Sequence, residues 1–301
     1  MSLLWAGLVV ALAVGLAASA LLLVRRRAPD GSFFADGDRA AGVFGVLATG
    51  FSVLLGLIVF LAFTSYDKSS SGAETEALLV AQQFETAQFF PVAVRQQLGT
   101  ELICYGRSVV HQEWPKMRSG TQGTAFNPWG VAMFRTLKIT TPRTAVEQTA
   151  YDKWIDRTAD RELAREDRIH GTEGVIPASL WVVLFFIAAV ICVFMLLFAD
   201  SGERAIVQAV LIGSVVAVIG VTLFLIRFLD DPVKAGYGAL QPVAMERTLG
   251  VLARERRLVG QSGPLPCDRS GARLGEPRRS SPSDDAGRRP RRDRSQGESG
   301  H

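Results

Sequence analysis

Histidines, cysteines and paired carboxylates are the side chains with which proteins move protons, attack carbonyls and hold metals. This chain of 301 residues carries three histidines and three cysteines. His111 and Glu113 stand two apart, which on a helix turns them to different faces, so they form no acid–base pair. His170 and His301 have no partner pattern beside them. Cys104, Cys192 and Cys267 are too few and too scattered for a disulfide framework or a zinc site. No HExxH, Cys-pair, P-loop or GxSxG pattern occurs. The expectation is no enzyme, no metal and no cofactor.

Ion-coupled transport is a second chemistry that residue types can reveal, because it leaves ionisable groups at membrane depth. The chain has four long apolar runs, Leu3–Val24, Ala41–Phe63, Val175–Phe198 and Ala205–Phe228. The polar side chains in their interiors are Ser19, Thr49, Ser52, Gln208, Ser214 and Thr222, and the one charge, Arg227, lies next to the end of the last run. What remains is a passive pathway with apolar walls, or no pathway.

The elements that hold these residues follow from length. A helix rises about 1.5 Å per residue, so about 20 residues cross a hydrocarbon core roughly 30 Å thick. All four runs reach that length. The fold class is therefore all-α, a polytopic membrane protein with four transmembrane helices and a helical extramembrane domain between the second and third; the lipid bilayer is its first partner. Arg25, Arg26 and Arg27 follow the first run, whereas a signal peptide carries its charge ahead of the apolar stretch, so that helix is expected to be retained. Gly7, Ala11, Gly15 and Ser19 recur every four residues on the first span, as do Ala41 with Gly45 and Gly213 with Ala217, a pattern suited to close helix approach.

Between the second and third spans the chain reads as helix. The second span runs into Tyr66 and Asp67, then a Ser/Gly patch (Ser69–Gly72), then a helix from Glu74 to Phe90 stopped by Pro91. Val94, Leu98, Leu102, Tyr105 and Val109 make a narrow apolar seam over 92–114. Pro115 is expected to end that helix, and Pro128 to open a short one through Lys138. Thr144–His170 is charged nearly all round, with opposite-charge pairs Lys153/Asp156, Arg157/Asp160 and Glu162/Arg165 and a thin stripe of Val146, Ala150, Trp154 and Ile155. Its far end is expected in solvent or against a neighbouring subunit. A hairpin of Ala199–Arg204 makes the last two spans antiparallel neighbours, and a short helix follows from about Val243 to Arg257.

The expected organisation is 1–40 for the first span and its basic loop, 41–258 for the core (spans about 41–63, 175–198 and 205–228, soluble helices 66–174), and 259–301 for an Arg-rich tail. That tail has almost no apolar residues and is expected to be disordered. The net charge of +4 is concentrated there, with no basic stripe interleaved with aromatics, so no nucleic-acid partner is expected.

Two segments resemble the bestrophins, which are pentameric ion channels, and their bacterial relatives. Ser52-Val53-Leu54-Leu55-Gly56-Leu57, followed by Tyr66-Asp67, is similar to the bestrophin pore helix and its exit. Asp230-Asp231-Pro232-Val233, Leu240-Gln241-Pro242 and Arg247-Thr248-Leu249 are similar to the segment after the last bestrophin helix. About residues 40–252 most closely resemble the bacterial bestrophin-like membrane proteins, whose function is not established. The resemblance implies a homo-oligomer, a pentamer, with a hydrophobic neck at Thr49, Val53 and Leu57 and a helix exit at Tyr66 and Asp67. A ring of such side chains gates by dewetting. Thr49 departs from the bulkier family neck. Only Asp230 and Asp231 stand where animal bestrophins carry a calcium-binding acidic cluster, so calcium activation is not implied.

The bilayer orientation draws on two opposed signals. Arg25, Arg26, Arg27, Arg39 and Arg204 fall on one side of the membrane, and Lys68, Arg161, Arg165, Arg168, Arg227, Lys234 and Arg247 on the other, a balance that decides little. The resemblance implies a cell-membrane protein with its soluble helices and termini in the cytoplasm, and the expectation follows it. Two functions fit: a homo-oligomeric channel for small ions, or a non-conducting membrane scaffold whose helical domain binds a soluble partner of unknown identity.

Overall fold

The computed structural model describes residues 3–27, 33–121, 126–170, 174–234, 238–261 and 263–275. The described residues form helices α1 (Leu3–Arg25), α2 (Gly37–Ala87), α3 (Val92–Ser108), α4 (Trp114–Ser119), α5 (Pro128–Lys138), α6 (Ala145–His170), α7 (Ala178–Leu197), α8 (Ala205–Asp230) and α9 (Val243–Leu258), with a π-helical turn at Val109–Glu113. Among them α1, the first part of α2, α7 and α8 are long and apolar enough to cross a membrane.

These four helices meet in an apolar bundle. Phe51, Ile58 and Ala62 of α2 pack with Leu184, Ala188 and Ile191 of α7 and Ile226 and Leu229 of α8. α1 lies along α8, but not through its own small residues: Gly7 and Gly15 have no neighbour within reach of an added Cβ. The small residues that matter are on α8, where a Cβ on Gly213 or Gly220 would meet Val14 or Val10 at 3.2 and 3.3 Å. Of the small-residue positions the sequence suggests, Gly213 is used in this way and the α1 stripe is not.

α2 has 51 residues, so it runs for about 75 Å and carries the bundle into the polar half of the protein. Asp36 starts it by accepting the Arg39 amide at 3.0 Å. The Ser69–Gly72 patch, expected as an interruption, is continuous helix. Ser69 is buried and its hydroxyl donates to the Arg168 carbonyl at 2.7 Å, and Gly72 lets the α6 backbone approach. Small residues here serve a helix crossing rather than a break.

The polar half has its own core. Of the expected seam, Leu98, Leu102, Tyr105 and Val109 are fully buried with Phe84, Trp114, Met117, Met133 and Trp154, and Val94 is half-buried against them. Pro115 does not end the chain's helical path. The π-turn ahead of it skips a hydrogen bond, so the missing amide of Pro115 breaks no ladder and α4 continues to Ser119, where Gly120 closes it at φ 69°. α5 begins as expected, with the Asn127 side chain accepting the Trp129 amide at 3.0 Å beside Pro128.

Several expectations are corrected in the polar half. The far end of α6 is not solvated: Arg161, Arg165 and Arg168 are buried. Lys153 does face Asp156 at 3.8 Å, but Arg157 turns to the Gln82 carbonyl at 2.9 Å and to the Thr86 hydroxyl, and Glu162 accepts from Arg161 rather than Arg165. The cysteines are also not all independent, because Cys104 of α3 is disulfide-bonded to Cys267 across 163 residues. Where a disordered tail is expected from residue 259, residues 263–275 form a strap that packs on α3 and α5. Its remainder, from residue 276, lies outside the described residues.

Candidate functional site

Successive residues on a helix turn by about 100°, so Thr49, Val53 and Leu57, four apart, share one face of α2. All three are exposed, Val53 by 69% and Leu57 by 56%, and Val46 and Phe60 extend the stripe. The buried contacts of α2 with α7 and α8, Phe51, Ile58 and Ala62, lie on the opposite face. Gly42, Gly45, Gly50 and Gly56 have open space where a Cβ would stand. One chain therefore packs one side of this helix and leaves the other apolar and unpartnered.

The polar groups on this part of α2 satisfy themselves locally. Ser52 donates to the Ala48 carbonyl at 2.9 Å and Thr64 to the Leu61 carbonyl at 2.8 Å. Tyr66 turns sideways, and its ring stacks on Phe228 of α8 with centroids 6.4 Å apart. It anchors α2 to α8 rather than facing along the stripe. Asp67 does follow the stripe: it is eighteen residues, five full turns, beyond Thr49, and it is exposed. Its neighbour Lys68 bridges to Asp167 of α6 at 3.0 Å.

Below that point α2 is held by a buried charge cluster that the spacing of residues does not announce. Arg168 donates from Nε to Glu76 at 2.5 Å and from Nη2 to Glu113 at 2.6 Å; Arg165 adds a bond to Glu113 at 3.1 Å. Tyr105 donates to Glu76 at 2.6 Å, and Asn127 to Glu113 at 2.9 Å. Glu76 and Arg168 are essentially without solvent contact. Burial pushes the Glu113 carboxyl up, but Arg168 and Arg165 offset this and hold it below the usual carboxylate range. Burial, with Glu76 beside it, pushes the Tyr105 hydroxyl well above its ordinary value, so it stays a hydrogen-bond donor. Every charge has an opposite neighbour, so the cluster is a buried clamp between α2, α6 and the π-turn rather than a reactive site.

The segment after α8 is fastened to the same region. Asp230 accepts the Val175 and Ile176 amides at 2.8 and 3.0 Å, at the entrance to α7. Asp231 faces Arg227 at 3.4 Å and Lys234 at 3.5 Å. These contacts give both carboxylates structural partners. The Leu240 amide then returns to the Pro232 carbonyl at 3.0 Å, Gln241 accepts from Arg118, and Thr248 donates to the Ala77 carbonyl of α2 at 3.2 Å.

A concavity of about 550 Å³ lies between α3, α5 and the strap. Glu101 lines it, accepting from Gln97 at 3.2 Å and Thr136 at 3.1 Å. Burial raises this carboxyl, and its hydrogen bonds and Arg273 only partly offset that.

A family model, the bestrophin-like domain, matches residues 11–237. Crystal structures of a bacterial bestrophin homologue from Klebsiella pneumoniae, each with a single mutation, share the fold. Two of them align at TM-scores of 0.61 and 0.58 with 10% and 12% identity, each covering 84% of this chain and 99% and 98% of the other. No curated protein matches the chain. The likeness to the solved structures concerns the fold, while the family model spans most of the sequence, including the whole of α2, α7 and α8. The chain belongs to the bestrophin-like family.

Proposed function

We propose that the protein is a homo-oligomeric channel for small ions, in which copies of α2 surround a central pore and Thr49, Val53 and Leu57 form its neck. The observation that carries this reading is the two-sidedness of α2: one face packs on α7 and α8, and the other presents an exposed, mostly apolar stripe of Val46, Val53, Leu57 and Phe60, with Thr49 within it, that leads to Asp67. Five copies, as in bestrophins, would close those stripes into rings. An apolar ring resists wetting, so conduction would require the rings to widen, while Thr49 makes one of them easier to hydrate. The α3–α6 region serves as the extramembrane domain, and α2 connects it to the neck without a break.

Purified protein of verified oligomeric mass, reconstituted in liposomes, is expected to pass ions, and Val53→Ala with Leu57→Ala to raise the leak. Silent bilayers at verified incorporation, for wild type and variant alike, would overturn the proposal. The alternative, a non-conducting scaffold, draws on Phe134 and Ile155, exposed beside a groove of about 380 Å³ between α5 and α6. Capture of a distinct protein by crosslinks placed at these two residues, together with silent bilayers, would favour it.

A further inference from the structure

We infer that the Cys104–Cys267 disulfide forms on the oxidising side of the membrane, so that the α3–α6 region and the C-terminal strap lie outside the cytoplasm, the reverse of the orientation implied by the bestrophin resemblance. The inference does not rest on conduction.

The strap is built as a resident part of the fold. Asp268 accepts from the Ser270 amide at 2.8 Å and the Ala272 amide at 3.0 Å, which folds the segment around its own carboxylate. Arg107 of α3 donates to the Asp268 carbonyl at 3.1 Å, Gln112 to the Ser270 carbonyl at 3.0 Å, and the Trp129 indole to the Gly271 carbonyl at 2.6 Å. Arg273 lies over the Trp129 ring, 5.2 Å from its centre. Gly271, at φ 81°, sits so close to α3 that a Cβ would overlap the backbone of Ser108. The strap buries few apolar side chains, so its attachment depends on polar contacts and on the covalent bond. Both sulfur-bearing residues are buried, Cys104 completely, which shields the bond from soluble thiols.

Buried disulfides of this kind persist in oxidising compartments and are rare in the cytosol. Their formation removes two electrons and two protons from the two thiols. The oxidant is a disulfide-carrying oxidoreductase outside the cytoplasm, whose own disulfide is reduced to a dithiol in the exchange.

Charge points the same way, independently. Arg25 donates to the carbonyls of Ser201 and Glu203, so the loop after α1 and the α7–α8 hairpin share one end of the bundle. Arg26, Arg27, Arg39 and Arg204 belong to that end. The positive-inside rule counts short loops and discounts long domains. At the other end, Lys68, Arg161, Arg165 and Arg168 belong to a long domain and are committed to its internal ion pairs. That leaves Arg227, Lys234 and Arg247 against five arginines on the short loops. The short, Arg-rich loops are then cytoplasmic, and anything that binds the polar half meets it outside.

The test uses the full chain in intact bacterial cells. In a Cys192→Ala background, a membrane-impermeant maleimide should label Ser119→Cys before lysis and Glu203→Cys only after it, by at least a tenfold ratio in each case. Alkaline phosphatase inserted after Arg118 should be active, and after Arg27 inactive. Acid-trapped wild-type protein should show Cys104 and Cys267 oxidised in nearly every molecule, and reduced in a host lacking the extracytoplasmic disulfide-forming oxidant. Labelling in the opposite order, phosphatase activity only at Arg27, or two free thiols in normal cells would each overturn the inference.

Discussion

Gly72 of α2 lies against Arg168 of α6 so closely that a Cβ on the glycine would stand 2.7 Å from the Arg168 amide nitrogen and 2.8 Å from the Ala164 carbonyl. Backbone, not a flexible side-chain end, fills that space. The approach brings the Arg168 guanidinium to Glu76, one turn further along α2, at 2.5 Å. The apolar bundle and the polar half of the protein are thus joined by one continuous helix, locked at Gly72 and Glu76 in its second half.

Gly72→Ala should therefore force α6 away and lower stability by about 1–3 kcal/mol, the usual cost of overpacking. Gly250→Ala on α9, where nothing lies within reach of a Cβ, is the control and should be neutral or stabilising by about 0.4–1 kcal/mol. Thermal unfolding of the detergent-solubilised protein distinguishes the two. Equal behaviour would show that α6 is not held at Gly72.

Arg168→Leu should destabilise far more, by about 3–5 kcal/mol, because it leaves Glu76 and Glu113 buried without their shared cation. Denaturant titration reads this as a lower midpoint with little change in slope. A loss under 1 kcal/mol would mean that water reaches the cluster.

The Glu113 carboxyl sits below its usual value of 4.5 in the fold, so the unfolded chain takes up its proton at the higher pH. Its contribution is complete above about 4.5 and disappears as pH falls through the lower folded value. Glu113→Gln should lower stability at pH 7 and flatten the acid limb of the stability profile. An unchanged acid limb would contradict this assignment.

Glu101 carries the opposite sign. Burial raises its carboxyl above 4.5, so the folded state holds the proton more tightly than the unfolded chain. Its stabilisation is present below about 4.5 and is lost as pH rises through the higher folded value. Glu101→Gln keeps an acceptor for Thr136 and should raise the midpoint at pH 7, with a gain that shrinks towards pH 4. A gain independent of pH would point to packing instead of charge.

Asp67 closes the exposed stripe of α2 with a carboxylate. If α2 lines a pore, Asp67→Asn should shift the reversal potential in a salt gradient towards lower cation preference, because the ring of charge at that mouth is removed. Liposome recordings in asymmetric potassium chloride measure it. Conduction with an unaltered reversal potential would place Asp67 outside the pathway.

Local signals made much of this protein readable before folding. Uncharged runs of sufficient length marked the four helices that are long and apolar enough to cross a membrane, and α8 and α9 begin at the expected residues. Pro128 set the start of α5, and the steps of three and four from Leu98 to Val109 marked a core face. Thr49, Val53 and Leu57 were singled out by the bestrophin resemblance, and their spacing of four places them on one face of α2. The Glu76–Arg168–Glu113 cluster was not. Its members are 37 to 92 residues apart in the sequence and look like ordinary solvated charges until α2 and α6 cross. The continuity of α2 through Ser69–Gly72 and the helical path across Pro115 likewise depended on a neighbouring backbone and a widened turn. The pairing of Cys104 with Cys267, 163 residues apart, completes the contrast. Composition and periodicity determine which segments form helices because those preferences act within a few turns. Only the tertiary structure decides which distant charges and thiols meet, because that depends on how rigid helices cross.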